Sequence, residues 1–249
     1  MHRQTSTVNS MLKVSDIVRD NYRTADVFKG FGINYCCGGD ISLQEACSRK
    51  GISLQEVENA LQPAFSNTPL AGSIQFASWK MDFLIDYLVN IHHAYLKITL
   101  PALTPAFSSY VESHTKKFPH LIKVLQVYKQ LAEKVQQHNH VEETSIFPYL
   151  KQMINAYNRK ETYGALFVKT MRKPLQRILE KEYQQISDLL LQLRTAANHY
   201  HIPEGSCTNY GVFMSKLAEL DNDLVQHKHL ENNILFPKVL EMENELLQL

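Results

Sequence analysis

The sequence is short of net charge and of long apolar runs, and each shortage excludes a class of protein. Lysine plus arginine (26) nearly equals aspartate plus glutamate (25), so the chain has no basic field with which to bind nucleic acid. No segment approaches the roughly 18 to 20 uncharged apolar residues that a membrane-spanning helix needs. The N-terminus lacks the apolar stretch of a signal peptide. We therefore expect a cytoplasmic protein with four reduced cysteines and with neither a nucleic-acid nor a membrane partner.

Strand and hairpin patterns are missing too, and helical periodicity runs through most of the chain. Ten of the eleven histidines come from residue 92 onward, whereas six of the nine glycines fall within the first 72 residues, which indicates two units of different chemistry. The sequence predicts an all-α protein with a small helical domain over residues 1–66, a linker over 67–72 and an up-down four-helix bundle over 73–249. Helix ends are expected at the prolines of the bundle, which are Pro101, Pro119, Pro148, Pro174, Pro203 and Pro237.

One motif occurs twice in the bundle and carries its most specific chemistry. The copies begin at His138 and His227, 89 residues apart, and both read H-x-H-x-E-x-x-x-x-F-P. Histidine and glutamate four positions apart project from one helical face, so His138 with Glu142, and His227 with Glu231, each offer an imidazole and a carboxylate to one ion. Inward-facing histidine and glutamate on different helices of a bundle suit a pair of iron or manganese ions. The absence of cysteine from this set disfavours structural zinc.

Three further helices place a histidine or a glutamate on an apolar face. His114 continues one apolar stripe, and Glu182 occupies the missing member of another. The helix from Met81 to Ile98 offers both His92 and His93, and its apolar face is too broad to choose between them. A charged or polar group at a core position needs a partner, and a metal ion would be a partner for all of these side chains.

Cys36 and Cys37 are adjacent in a glycine-rich turn from Gly30 to Asp40. Neighbouring cysteines form a strained disulfide at best, so they are better suited to remain accessible thiols. Such thiols can be oxidised, bind a soft metal or exchange with another thiol. We therefore expect Cys36 and Cys37 to be the reactive residues of the first domain.

Together these motifs resemble the repair-of-iron-centres family of di-iron proteins. The segment from Phe31 to Gly39, with its paired cysteines, resembles the short N-terminal domain of that family, and residues 73–249 resemble its hemerythrin-like four-helix bundle. The resemblance implies two oxo- or carboxylate-bridged iron ions per chain. It also implies repair of iron–sulfur clusters damaged by nitric oxide or peroxide, with iron donation as a route, and so implies proteins with damaged clusters as partners. A homodimer is expected from the resemblance alone.

Carried over position by position, the resemblance assigns imidazole ligands and two bridging carboxylates, which are His93, His114, His138, His227, Glu142 and Glu231. The remaining ligand position holds histidine in the family and Glu182 in this chain. We expect Glu182 to bind iron in place of that histidine. The alternative is that Glu182 holds a water molecule or orients a histidine.

Two other functions stay open at this point, as does whether the protein is an enzyme. One is a nitric oxide or peroxide reductase that uses the di-iron site as its redox centre. The other is a hemerythrin-like carrier or sensor of a diatomic ligand. The cysteine turn disfavours a simple carrier, because carrying a diatomic molecule needs no thiols.

Overall fold

The structure is a computed structural model, and it describes five stretches of the chain, residues 9–21, 24–35, 39–65, 76–171 and 175–248. The side chains of Arg19 and of residues 175–183 also lie outside that description. The described stretches are helical and contain no strand, which confirms the expected all-α class. None of the described helices combines the length and the apolar composition that crossing a bilayer requires. The chain divides into two units, Met1–Ser73 with Tyr200–Glu219 and Ile74–His199 with Leu220–Leu249.

The first unit contains four short helices, α1 (Val14–Asp20), α2 (Thr24–Gly30), α3 (Leu43–Lys50) and α4 (Leu54–Phe65). The Ser42 side chain caps α3 by accepting a hydrogen bond from the Glu45 backbone N–H, and Gly51 ends the helix at a φ of 64°. An apolar core holds the unit together and includes Val14, Ile17, Phe28, Leu43, Val57, Leu61 and Val212.

Gly39 lies close to the backbone of Tyr35. A Cβ at this position would lie 2.4 Å from the Tyr35 carbonyl oxygen, so no residue larger than glycine fits without a backbone shift. The Gly39 carbonyl accepts a hydrogen bond from the Ser15 backbone N–H at 2.9 Å. Helix α1 therefore anchors the backbone at Gly39.

The second unit is dominated by long helical rods, three of which pass through a short π-helical segment. The first rod comprises α5 (Met81–Tyr87), the π segment Leu88–His93 and α6 (Ala94–His114). The second rod comprises α7 (Leu121–Val141), the π segment Glu142–Ile146 and α8 (Phe147–Arg159). After α9 (Gly164–Met171) and α10 (Leu175–Ala196), the third rod comprises α11 (Thr208–Leu230), the π segment Glu231–Leu235 and α12 (Phe236–Gln248).

Short turns between these helices give antiparallel neighbours. Helix α10 packs chiefly on α7, α6 packs on α7, and α12 packs on α8 and α9. The Arg194 guanidinium on α10 donates two hydrogen bonds of 2.6 Å to the Asp221 carboxylate on α11, a bidentate pair that ties the two helices together. The apolar core includes Leu84, Leu88, Leu150, Met153, Leu235 and Val239.

The expectation that the prolines end helices is wrong at three positions. Pro101 lies inside α6, and Pro148 and Pro237 are the second residues of α8 and α12. A proline ring inside a helix clashes with the carbonyl four residues earlier, which belongs to Thr144 or Asn233 for the last two. Both carbonyls lie in π segments, where the wider turn makes room for the ring, so the rods continue. Pro119 and Pro203 do lie between helices, and Pro174 lies outside the described residues.

Candidate metal centre

Four buried side chains from the three rods converge at the level of the π segments. His93, Glu142, His227 and Glu231 each offer one ligand atom, and these atoms all lie within 4.8 Å of one another. None of the four is more than 2 % exposed. His93 ends the first π segment, and the two glutamates begin the other two. Local π-helical turns are frequent at functional sites, and here each one adjoins a candidate ligand.

The donor atoms face one another directly. His93 Nε2 lies 3.2 Å from His227 Nε2 and 3.4 Å from Glu142 Oε2. His227 Nε2 lies 2.9 Å from Glu231 Oε1. Two imidazoles and two carboxylates that meet in a fully buried space form a mixed nitrogen and oxygen set, which suits iron or manganese. The residues present therefore fit a metal site of the kind that the repeated motif predicts.

The Glu142 carboxylate lies between two histidines. Its Oε1 atom is 3.2 Å from His138 Nε2, and its Oε2 atom is 3.4 Å from His93 Nε2. His138 is only 3 % exposed. Each oxygen of this carboxylate therefore faces a different imidazole.

The electrostatics of the site couple its acids to its imidazoles. Complete burial alone would raise the pKa of Glu142, but the charge of His138, hydrogen bonds from His138 and His93, and the charge of His227 hold that pKa well below its usual range. Burial would lower the pKa of His227, but the charge and hydrogen bond of Glu231, with the charge of Glu142, raise it above its ordinary value. Without a cation, the surrounding carboxylates thus favour a proton on His227.

His92 and His93 are both buried, but only His93 points its Nε2 into the cluster. The His92 ring stacks on His227 with an interplanar angle of 19° and a centroid distance of 5.4 Å. The in-plane lone pairs of two nearly parallel stacked rings do not converge on one ion. His93 is inclined by 53° to His227, and the two Nε2 atoms face each other. The structure therefore brings His93 into the cluster and leaves His92 beside it.

His114 does not reach this cluster. It is the last residue of the first rod, and 21 residues at 1.5 Å each place it about 30 Å from His93 along the helix. Its Nδ1 donates to the Tyr110 carbonyl at 2.9 Å, and its ring stacks on Tyr110. His114 does continue an apolar stripe, but it lies at the opposite end of one continuous helical rod from the cluster.

The remaining site predictions fall outside the described parts of the chain. Cys36 and Cys37 are not among the described residues, and the side chain of Glu182, in helix α10, is not described either. Their roles stay predictions.

Three charged residues around the site were not foreseen from the sequence. Glu143 Oε1 lies 2.7 Å from His93 Nδ1, and Glu143 Oε2 accepts a hydrogen bond of 2.6 Å from Lys97 Nζ. Burial would raise the pKa of Glu143, but the hydrogen bonds from Lys97 and His93 outweigh it and lower that pKa. Asp223 Oδ1 lies 2.8 Å from His92 Nδ1. Asp223 does have a sequence signature, because it stands four residues before His227 on the same helical face.

Comparison with known protein families accounts for both units. Residues 84–239 match the hemerythrin HHE cation binding domain, a range that includes all four residues of the cluster. Residues 11–64 match ScdA_N, a domain of unknown function, and this range includes Cys36 and Cys37.

Similar proteins align with about nine tenths of the chain. The iron-sulfur cluster repair protein ScdA of Staphylococcus epidermidis is 28 % identical over 227 residues, which cover 91 % of this chain and 96 % of that protein. The iron-sulfur cluster repair protein YtfE of Escherichia coli O157:H7 is 28 % identical over 219 residues, 88 % of this chain and 91 % of its own. YtfE of Edwardsiella ictaluri is 27 % identical over 221 residues, again 88 % and 91 %.

Proposed function

Because this chain belongs to the hemerythrin HHE cation-binding family, in the two-domain form of the repair-of-iron-centres proteins, we propose that it repairs damaged iron–sulfur clusters with iron held in its second unit. The observation that carries the proposal is the buried cluster of His93, Glu142, His227 and Glu231. It occurs in a chain whose relatives named as iron-sulfur cluster repair proteins match about nine tenths of its length.

Two iron ions are the occupants that we propose for this site. His93 and His227 would supply imidazoles, and Glu231 would supply a carboxylate beside them. Glu142 and His138 would hold the second ion, because His138 Nε2 lies 3.2 Å from Glu142 Oε1. When bound, the iron would supply redox chemistry and the ions for cluster rebuilding. The chain itself excludes water through burial and holds Glu142 ionised through the imidazoles that face it.

Metal analysis after anaerobic iron loading tests the site. We expect about two irons per chain, and loss of iron in His227→Ala and His138→Ala. The motif offers matched controls, because His140 and His229 lie two residues after these histidines and are solvent-exposed. His140→Ala and His229→Ala should keep their iron. Equal iron loss in all four variants would contradict the assignment.

Transfer of labelled iron tests the repair function. The loaded protein is mixed with an enzyme whose [4Fe–4S] cluster has been damaged by nitric oxide or by peroxide, and recovery of that enzyme's activity is followed together with the isotope. We expect recovery with labelled iron in the client. Turnover of nitric oxide or peroxide with an electron donor, without iron transfer, would instead support a reductase. Reversible uptake of a diatomic ligand without turnover would support a carrier or sensor.

The adjacent thiols are proposed to mediate the transfer of iron or of nitric oxide. The change of both Cys36 and Cys37 to serine should abolish repair and leave the bound iron unchanged, because the buried cluster contains no cysteine. Loss of bound iron in this variant would contradict the division of labour between the two units.

Glu182 is proposed as an anionic ligand at the position where the family has histidine. An extra carboxylate oxygen favours ferric iron and lowers the reduction potential. Glu182→His should therefore raise the potential of the iron-loaded protein. If both the potential and the iron content stay unchanged, Glu182 does not bind iron.

A further inference from the structure

A chain of three charged or polar side chains leads from the protein surface to the buried centre. Lys97 Nζ donates to Glu143 Oε2 at 2.6 Å, and Glu143 Oε1 lies 2.7 Å from His93 Nδ1. The Lys97 side chain is 59 % exposed, that of Glu143 is 24 % exposed and that of His93 is fully buried. The contacts therefore connect a solvated ammonium group to a candidate metal ligand.

Hydrogen bonding decides which nitrogen of His93 is free for a metal. A carboxylate only accepts hydrogen bonds, so the nitrogen that faces Glu143 must carry the proton and donate it. The lone pair of a neutral ring then lies on Nε2, the atom that faces His227 Nε2 at 3.2 Å and Glu142 Oε2 at 3.4 Å. Glu143 thus selects the tautomer and holds the ring with its free lone pair in the cluster.

The chain also joins two of the ligand-bearing rods. Lys97 stands one helical turn after His93 on the first rod, and Glu143 follows Glu142 in the π segment of the second rod. Lys97 and His93 therefore bind the same carboxylate from one helix. The ammonium group leaves Glu143 with Oε1 directed at His93, because its other oxygen is already engaged.

We propose that Glu143 is a positioning residue for the metal centre, that it sets the tautomer and orientation of His93, and that Lys97 holds it in that pose. This inference rests on the metal site of the proposed function and not on the repair activity. Outer carboxylates of this kind raise the basicity of a histidine ligand, and their loss commonly weakens metal binding 10- to 100-fold. Glu143 and Lys97 therefore govern how firmly the site retains its ions.

The rate of metal loss to a chelator tests the proposal in the full-length protein. With Fe²⁺ or Co²⁺ as the probe, Glu143→Ala should release metal about 10- to 100-fold faster than the unmodified protein. Glu143→Gln should lie between the two, because an amide oxygen still accepts from Nδ1 but carries no charge. Lys97→Met should release metal faster than the unmodified protein but more slowly than Glu143→Ala.

The chain offers a matched control for a purely structural effect. Lys151 Nζ and Asp86 Oδ1 form a 2.5 Å ion pair that also joins the first and second rods, and neither residue contacts a histidine ligand. Asp86→Ala and Lys151→Met should leave the rate of metal loss unchanged. If they accelerate it as much as Glu143→Ala and Lys97→Met do, the Lys97–Glu143 pair only ties helices together and the proposal fails.

A spectroscopic measurement follows the tautomer itself. In the Co²⁺-loaded protein, the Nδ1–H proton of a ligating histidine gives an exchangeable, hyperfine-shifted NMR resonance. The resonance that disappears in His93→Ala should exchange with solvent faster in Glu143→Ala, and Glu143→Gln should partly restore its protection. An unchanged resonance in Glu143→Ala would overturn the proposal. Because these experiments use metal alone, a failure of repair leaves their outcome interpretable.

Discussion

At the scale of the residue, the neighbouring histidines His92 and His93 show how orientation separates a ligand from a bystander. Both are buried, and each has a carboxylate at its Nδ1 atom. The two residues are thus alike in type, in burial and in the kind of group that faces Nδ1. The difference lies in the ring planes, because His92 stacks on His227 whereas His93 is steeply inclined to it. Sequence periodicity carries no information about ring planes, so it could not choose between the two.

Phenylalanine substitutions separate these two histidines experimentally. His93→Phe should lower metal affinity by more than about 100-fold, beyond the usual cost of losing an outer partner. His92→Phe retains a ring that stacks on His227 and should change the affinity by less than about threefold, since no ligand atom is lost. Isothermal titration of the metal-free proteins measures both. The reverse order of effects would make His92 the ligand.

His227 should make the stability of the metal-free protein depend on pH. Its folded pKa is raised above the unfolded value of about 6.5, so its stabilising contribution is complete below that pH and is lost as the pH rises through the folded pKa. Denaturant midpoints measured from pH 6 to pH 9 should therefore fall for the metal-free protein, and His227→Gln should flatten the curve. The same slope in His227→Gln would contradict this prediction. Metal binding has the opposite dependence, because the ligands must be deprotonated.

The candidate ligands themselves were largely accessible from sequence, whereas their supporting residues were not. His138, Glu142, His227 and Glu231 extend apolar stripes, and the repeat presents the same pair twice. The pairing of Glu143 with His93 joins residues 50 positions apart on different helices, and nothing in either local pattern requires it. A hydrogen bond across a helix interface depends on the rotation of both helices, which one sequence does not specify.

At the scale of the element, the π segments place the ligands and the apolar core on a common face. Buried positions in the second rod recur every four residues, at His138, Glu142, Ile146, Leu150 and Ile154. A regular α-helix turns 400° in four residues, so four such steps would rotate the stripe by about 160°. The wider π turn takes up much of this rotation. The third rod repeats the spacing at His227, Glu231, Leu235, Val239 and Glu243.

This four-residue spacing is visible in the sequence and would have indicated the π segments. The rule that prolines end helices conceals it, because that rule divides the two rods at Pro148 and Pro237. The described π segments Glu142–Ile146 and Glu231–Leu235 start and end 89 residues apart, at the same offset as the motif. Each copy of the motif thus contains a π segment at the same position.

Replacement of Pro148 and Pro237 by alanine should stabilise the metal-free protein and weaken its metal binding. Without the rings, Pro148→Ala and Pro237→Ala allow a regular α turn, so the metal-free protein should gain up to about 3 kcal/mol per site in free energy of unfolding. The ligands that begin the two π segments should rotate, and metal loss to a chelator should accelerate. Pro105, inside α6 and remote from any π segment, provides the control. Pro105→Ala that accelerates metal loss equally would exclude a role for the π turns.

At the scale of the whole molecule, the sequence predicted the helical class and the family, and both are confirmed. Residues Tyr200–Glu219 group with the first unit, and Val212 is buried in its core. The predicted boundaries, which place residues 73–249 in the bundle, stay a prediction. Helix α11 is continuous from Thr208 to Leu230, so its periodicity contains no break that would indicate a boundary.

Removal of residues 1–73 should separate metal binding from repair. All four residues of the cluster belong to the second unit, so the shortened chain should bind the same amount of iron. It lacks Cys36 and Cys37 and should not restore damaged clusters. Iron analysis and the labelled transfer assay measure the two properties. Full repair by the shortened chain would exclude the cysteine turn from the mechanism.

The three π segments have a consequence for the breathing motions of the protein. They lie where the candidate ligands meet, so the departures from regular α-helix are concentrated at the depth of the candidate metal centre. Amide protons there should exchange with deuterium readily in the stripped protein and slowly once an ion clamps the rods, while amides near His114 change little. We expect the bundle to open most easily at the level where the ion binds.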